Sequence, residues 1–483
     1  MRNQLFKPSR LAVAITLSLG VAAPFVASAQ EEGSGIEEVM VTATRRAETN
    51  IQSTPVAVTA ISGEDLEMAV PRNLGDVAAF VPNFSAAQVT GFNAASFAIR
   101  GIGQTDIIVY LDAPVGVIVD DFVMPSIQTQ LLDPFDIESV EVLRGPQGTL
   151  FGKNTTGGTV NVKTKDPDVT QGSVDVAGQI ARYGEYQAKF AVNVPLIEDE
   201  FAIRFSGNFI ESDGYYRNGA EFGPVSPFIP IDGITGLTGQ GDGADAGGQD
   251  VFSGRFKARW EPSDNFTAQF TYEIVRDDSD TPPTVNLTPQ NDPRFVFNLL
   301  GYTQDDGDPL NVAGVTNRDE LLLNMTQGHR IDVDGFYLNL DWDINPNYTL
   351  SSITGYREQE SRLPNTYPGE IGPISLFDAT RDDNRETFQQ EIRIASDFDG
   401  PWNFVAGGFY QTNDTEFCVL QVLGFLDLLG LGEADFGDPL FFNNNPQILC
   451  NAQDATAKAV FGDVTWEVND RFTVGLGLRY TDE

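Results

Sequence analysis

Phe266-Thr267-Ala268-Gln269-Phe270-Thr271-Tyr272-Glu273-Ile274 is the stretch whose reading decides the fold. Apolar or small side chains alternate with polar ones, and a period of two puts each kind on its own face of a β-strand. The pattern recurs. In Phe252 to Trp260, Ser253, Arg255, Lys257 and Arg259 stand between Phe252, Gly254, Phe256, Ala258 and Trp260; Phe336, Leu338, Leu340 and Trp342 alternate with Tyr337, Asn339, Asp341 and Asp343. A soluble sandwich shows the same alternation with its apolar face inward, so period alone does not choose. Length and aromatic placement do: strands of about ten residues with aromatics at their ends fit a barrel whose apolar face meets lipid.

Working outward, eleven candidate strands lie near residues 172–181, 185–195, 200–211, 250–261, 265–276, 329–343, 347–358, 384–396, 401–412, 455–468 and 471–483. After the first hairpin their connections alternate: 196–199, 262–264, 345–347, 397–400 and 469–470 are short, whereas 212–249, 277–328, 359–383 and 413–454 are long. Short turns on one side and long loops on the other are what an outer-membrane barrel requires. The expected fold class is therefore an all-β transmembrane barrel of antiparallel strands. Eleven is odd, and Tyr480-Thr481-Asp482-Glu483 lacks the closing aromatic residue usual for such barrels. The expectation is about 11 of roughly 22 strands, the size of a plugged transporter.

At the other end, Arg2, Lys7 and Arg10 precede an apolar run from Leu11 to Val26 and the small-residue ending Ala27-Ser28-Ala29. Residues 1–29 read as a secretory signal peptide cleaved after Ala29. No later run is long and apolar enough for a spanning helix, so membrane residence falls to the strands. The chain carries 30 Lys+Arg against 69 Asp+Glu, a net charge of −39, and removing the three basic residues of the signal makes the remainder −42. Nucleic acid is excluded as a partner by that balance.

Cys418 and Cys450 share one polar stretch of an exported chain, which predicts a single loop-pinning disulfide. They do not make a zinc site, because the single histidine, His329, is far away in sequence. Asp277-Asp278-Ser279-Asp280 and Asp305 to Asp308 read as solvated acidic loops and not as calcium ligands. No metal and no cofactor is expected.

Residues 30–46 form a polar tail holding one short β-branched run, Val39-Met40-Val41-Thr42, suited to adding as a strand to another protein's sheet edge. Residues 47–166 then mix short apolar runs (Val56 to Ile61, Ile107 to Leu111, Val115 to Val119, Val140 to Leu143) with helical candidates at Gly63 to Ala69 and Asn73 to Val81, a small α+β domain. Residues 167–483 hold the strands.

Within this frame, Ile36-Glu37-Glu38-Val39-Met40-Val41-Thr42-Ala43 resembles the TonB box of TonB-dependent receptors. The plug domain of that family is resembled by an ordered series: Thr54 to Ile61, Leu74 to Asn83, Ile99-Arg100-Gly101-Ile102-Gly103, Val115 to Asp121, Ile137 to Asn154 and Thr155 to Val162. A phosphate-cradling loop at Gly152-Lys153 fails, because Gln147 stands where its first glycine should be and Asn154 where Ser or Thr should bind magnesium.

The resemblance implies an α+β plug in the barrel lumen and energised uptake. The outer membrane has no ATP, so substrate bound outside makes the box available to TonB, which pulls and opens a path. Implied partners are TonB with its inner-membrane energising complex, outer-membrane lipid and a small-molecule substrate such as a ferric siderophore. A saccharide or other organic compound is the alternative. Haem is disfavoured with one histidine. The plug follows the box directly, leaving no room for a signalling domain.

Arg100, Glu138, Glu141 and Arg144 are charges embedded in apolar strands and are expected, as a group, to tie plug to barrel wall. A passive porin or adhesin barrel does not explain a plug preceded by a box. An enzyme would need a nucleophile with a base, and no serine motif pairs with His329.

Overall fold

The computed structural model describes residues 40–42, 45, 49–52, 54–69, 71, 73–89, 94–104, 112–125, 135–214, 216–217, 245–280, 329–366, 378–422, 447–469 and 471–483. The predicted signal peptide, box residues 36–39 and 43, and the acidic stretch 305–308 lie outside them.

The N-terminal part opens with two-residue strands β1 (Met40–Val41) and β2 (Thr49–Asn50), paired antiparallel. Then come β3 (Val58–Ser62), helix α1 (Gly63–Ala69), a 3-10 turn (Leu74–Phe80), β4 (Phe84–Val89), β5 (Ala94–Ile99), β6 (Ile102–Gly103), β7 (Val115–Val119), β8 (Phe122–Val123), β9 (Ile137–Arg144) and β10 (Gly158–Thr164). A five-stranded mixed sheet runs β3-β9-β10-β7-β8, with β10 and β7 parallel. Every position of β7 is buried, which explains its unbroken apolar sequence. The core closes around Val117, Val140, Val142 and Val160, with Leu66 of α1 and Leu74 of the 3-10 turn packed on it. Asn73 caps that turn by accepting from the Gly75 amide, so the helix expected over 73–81 is realised as the tighter 3-10 form.

From residue 173 onward one antiparallel sheet takes eleven strands: β11 (Ser173–Ile180), β12 (Tyr186–Ile197), β13 (Phe201–Ser212), β16 (Gln249–Ser263), β17 (Phe266–Asp277), β18 (Arg330–Asn345), β19 (Tyr348–Thr366), β20 (Asp378–Ser396), β21 (Trp402–Val422), β22 (Gln447–Asn469) and β23 (Phe472–Asp482). A small ribbon, β14 (Tyr216–Arg217) with β15 (Asp245–Ala246), interrupts the order between β13 and β16. Apart from that interruption neighbours are consecutive, and β11 and β23 are unpaired edges among the described residues, so the barrel is not closed.

The outer face carries exposed Phe205, Trp260, Phe270, Leu338, Trp402 and Leu476, whereas Lys257, Gln269, Arg357, Gln389 and Glu391 are buried on the inner face. Aromatic pairs Trp260–Phe266, Tyr348–Phe398 and stacked Trp402–Trp466 line the end with short turns. Tyr272–Phe336 and Phe388–Tyr410 form a second line. Tyr348 to Tyr356 covers about 26 Å along its strand, roughly 20 Å of height at the tilt of about 40° usual in such barrels, which fits within an apolar band about 25 Å tall. Immediately beyond the second line, Asp334, Glu358, Glu386, Asp414 and Asp454 stand directly opposite one another across five adjacent strands. A row of carboxylates there marks the exit from the apolar layer.

Two expectations are corrected. Strands β19 to β22 run on for 19 to 23 residues, well into what the sequence suggested were long loops. Their continuing main-chain pairing outside the apolar band no longer needs an apolar face, so the alternation that reveals strands fades. Cys418 and Cys450 accordingly form their disulfide as directly opposed residues of β21 and β22, not within a loop.

Candidate functional site

Only the end of the segment resembling the box is described, and it is stowed. Val41 is fully buried in the two-residue pairing with β2 (Val41 opposite Thr49). Thr42 donates twice to Glu141 of β9: its amide to Oε1 at 2.7 Å and its hydroxyl at 3.1 Å. Asn161 of β10 donates to the Thr42 hydroxyl at 3.1 Å and to Glu141 Oε2 at 3.4 Å. Burial raises the Glu141 pKa, opposed by the donors Thr42 and Asn161.

Arg45 makes the next tie. Its amide closes a turn onto the Thr42 carbonyl at 2.9 Å. Its guanidinium reaches the barrel: Nη1 lies 2.9 Å from each carboxylate oxygen of Glu391, Nη2 is 3.7 Å from Asp121, and the group sits 4.7 Å above the Phe151 ring. Arg393 of the wall contacts Asp121 and Glu391, each at 3.2 Å. Two cations and two carboxylates therefore alternate, Arg45 and Asp121 from the N-terminal part and Glu391 and Arg393 from β20. Burial pushes the Asp121 pKa up, but Arg393 and Arg45 outweigh it and hold the carboxyl down at about 2.

The same division continues along the seam. Arg204 of β13 is bidentate to Asp136, at 2.5 Å through Nη2 and 2.9 Å through Nε. Lys257 of β16 bridges Asp166 at 2.7 Å and Asp120 at 3.2 Å. Gln389 accepts from the Val123 amide at 2.9 Å and donates to the Asp121 carbonyl at 3.0 Å, and Arg385 donates to the Pro125 carbonyl at 2.8 Å. The Asp136 and Asp166 pKa values are lowered: burial opposes ionisation, but Arg204 and Lys257 prevail. The plug supplies carboxylates from turns, and the wall supplies most of the cations. Asp120, Asp121 and Asp136 all have positive φ, a conformation that Asp tolerates in tight turns. Apolar contact adds one fixed point, the Phe122 ring edge-on to Tyr337 of β18 at 4.9 Å and against Gly355 of β19. A polar cavity of about 300 Å³ lies in this seam, lined by Thr42, Arg45, Asp121 and Lys163 on one side and by Asn339 and Arg393 on the other.

The four charges expected to tie plug to wall are placed otherwise. Glu141 holds Thr42, and Glu138 pairs with Lys163 inside the plug at 3.4 Å. Arg100 is exposed at a turn of positive φ, and the buried Arg144 Nε has no partner among the described residues. The reason is topological: β9, which carries three of the four, is flanked by β3 and β10 in mid-sheet, so the turns reach the wall instead. The residues that do make the seam include Arg45, Asp121, Asp136, Arg204, Lys257 and Glu391. For β20 one signal was available, since Arg385, Thr387, Gln389, Glu391 and Arg393 repeat at a spacing of two and so share one polar face.

An antiparallel sheet with an apolar outer face, wrapped around an α+β plug that it grips by charge, defines the class of plugged outer-membrane barrels. Residues 50–159 match the model of the TonB-dependent receptor plug domain, and residues 274–483 match that of the TonB-dependent receptor-like β-barrel. The chain belongs to the TonB-dependent receptor family, whose members are outer-membrane receptors and transporters. It is 21% identical over 474 residues to a pesticin receptor of Yersinia pestis, covering 96% of this chain and 58% of that protein. An iron-regulated outer membrane virulence protein of Vibrio cholerae is 30% identical over 217 residues, 43% of this chain and 32% of that one. The crystal structure of the ferric yersiniabactin uptake receptor FyuA from Yersinia pestis superposes with a TM-score of 0.66 at 19% identity, over 91% of this chain and 57% of that chain. At that identity the likeness is one of fold. The chain spans a little over half the length of the two Yersinia pestis relatives.

Proposed function

We propose that this chain belongs to a TonB-dependent transporter that takes up a ferric siderophore, exported by a signal peptide cleaved after Ala29 and recognised by TonB through residues 36–43. The observation that carries this reading is the stowed end of the box. Val41 and Thr42 are strand-forming residues stowed inside the lumen, Val41 by apolar packing and Thr42 by hydrogen bonds to Glu141 and Asn161, next to a seam of ion pairs. A segment so placed is released as a strand for a partner's sheet edge, the main chain supplying affinity. The iron assignment draws on the relatives: FyuA is a ferric yersiniabactin uptake receptor, and the Vibrio cholerae protein is iron-regulated.

The test is radiolabelled ferric-siderophore uptake by iron-starved cells producing the receptor, intact or as Val41→Pro, which removes a main-chain donor from the pairing strand. Uptake by the intact protein and its loss in the variant are expected. Absence of uptake in both, with the protein present in the outer membrane, overturns the iron reading.

A further inference from the structure

We propose that Asp383, with Ser361 directly opposite it, selects substrate by charge in the outer part of the lumen, seating an ammonium or other cationic hydrogen-bond donor on a substrate whose neighbouring part is apolar. This rests on the siderophore-uptake reading above and adds the chemical character of the chelate.

The inner face of β20 changes character where Arg385 donates to the Pro125 carbonyl. From there toward the short turns its polar groups are engaged by the plug: Gln389 bonds main-chain groups of Val123 and Asp121, Glu391 holds Arg45, and Arg393 holds Asp121. One inward position further toward the long loops stands Asp383. It is 3% exposed, yet neither of its carboxylate oxygens has a hydrogen-bond partner among the described residues. Ser361 of β19 is its directly opposed neighbour, is buried as well, and its hydroxyl likewise has no partner among the described residues. Directly opposed residues on one face hold their Cβ atoms about 4.5–5.5 Å apart, so one donor group reaches both.

Other buried carboxylates of the lumen are answered: Asp136 by Arg204, Asp166 by Lys257, and Glu273 by Tyr337 and Arg357. Burial pushes the Asp383 pKa up, opposed by the charge of Arg385, whose Nη1 is given to the plug. A desolvated carboxylate without donors is costly. A cationic donor offsets that cost, whereas a neutral group of the same size does not. Beside the acceptor pair, Ile331, Val333 and Leu363 form a buried apolar cluster, with Ile331 directly opposite Ser361 on β18. A few convergent polar groups next to apolar surface are the composition of a small-molecule site.

The probes are a linear ferric trihydroxamate ending in a free ammonium group and the same chelate with that amine acetylated. Affinity for the purified receptor in detergent is read by quenching of tryptophan fluorescence. The parent is expected to bind the ammonium form about tenfold more tightly. Asp383→Asn should erase that preference by weakening the ammonium form alone, an outcome that general loosening of the wall does not produce. Should Asp383→Asn not reach the outer membrane, Ser361→Ala is read in its place and is expected to narrow the preference about threefold; an unchanged preference there overturns the proposal. Equal affinities in the parent, or a preference kept in Asp383→Asn, overturn it and leave the iron reading standing. If neither chelate binds the parent, the iron reading fails, and the comparison is made with aminohexyl and acetamidohexyl glycosides. Absence of an Asp383-dependent preference there as well overturns the proposal.

Discussion

Replacing Glu141 separates the two things a buried carboxylate does for the box segment. Its side chain is 2% exposed, and it accepts from the Thr42 amide, the Thr42 hydroxyl and the Asn161 amide. In Glu141→Ala these donors lose their acceptor in a site closed to water. Hydrogen bonds to a charged group contribute about 1.5–3 kcal/mol, so the equilibrium between stowed and released box shifts by roughly one to two powers of ten. Glu141→Gln behaves differently. Its carbonyl oxygen still accepts from the Thr42 amide, its nitrogen donates to the Thr42 hydroxyl, and no charge is buried. Gln is therefore expected to keep the segment stowed where Ala frees it.

The pH dependence follows with the same sign. Burial raises the Glu141 pKa above the ordinary 4.5, so the stowed state binds the proton more tightly than a solvated one. Its extra stability is fully present below 4.5 and is lost as pH rises through the raised value. The assay is electron paramagnetic resonance of a spin label on Val39→Cys, scored as the mobile fraction in outer-membrane preparations. The reasoning is refuted if Ala leaves the mobile fraction at the parental level, or if Gln releases the label as far as Ala does.

Three further outcomes are expected. Asp136→Asn strips one partner from the buried Arg204 pair, which costs about 3–5 kcal/mol and is read as faster proteolysis of the plug; adding Arg204→Met to Asp136→Asn, which leaves no unpaired charge and keeps at 136 a residue that accepts positive φ, should recover most of it. The lowered pKa values of Asp121, Asp136 and Asp166 place the ionic contribution to plug seating fully above pH 3.8, with loss as pH falls through about 2 for Asp121, so plug proteolysis should stay flat from pH 7 to 4 and rise below it. Asp414→Lys puts a cation between Glu386 and Asp454, its directly opposed neighbours. It should stabilise the projecting hairpins by roughly 0.2–1 kcal/mol per relieved pair, measured by urea unfolding and diminishing with added salt.

The strands were legible because lipid on one side and a polar lumen on the other impose a period of two, and Phe266 to Ile274 shows it without a break. The plug sheet was legible through runs such as Val115 to Val119, where burial on both faces removes the alternation. What escaped the sequence is what the chain brings together at long range. Arg45 and Glu391 are 346 residues apart, and neither stands out beside its neighbours. Arg46 is as basic as Arg45, and Glu386 as acidic as Glu391; strand parity separates the latter two, since Glu386 shares the outward row with Asp414 while Glu391 faces the plug. The plug side was misread for a related reason. Charges inside strands draw attention because they interrupt apolar runs, yet Asp120, Asp121 and Asp136 lie in turns, where Asp is commonplace.

Under the proposed transport, the division of charge accounts for a plug that is both seated and removable. Within the plug, Val117, Val140, Val142 and Val160 are sealed from water, and parting them costs the full exposure of apolar surface. Against the wall the contacts are mostly ion pairs and hydrogen bonds beside a polar cavity, and water entering there replaces each lost partner with its own hydrogen bonds. A pull applied at Thr42 therefore meets a graded resistance. Under the proposed transport, the Glu141 contact and the apolar packing of Val41 are expected to yield first, the Arg45 cluster next, the Asp136–Arg204 and Lys257 pairs after it, and the valine core last. Two apolar contacts on the wall are exceptions, Phe151 with Phe409 and Ala459, and Phe122 against Gly355 and Tyr337. The second bears on the β18–β20 side. It lies directly after Asp121, so it pins that turn once the ion pairs there have opened, and it sets the point beyond which the seam on the β18–β20 side cannot widen without desolvated surface being exposed.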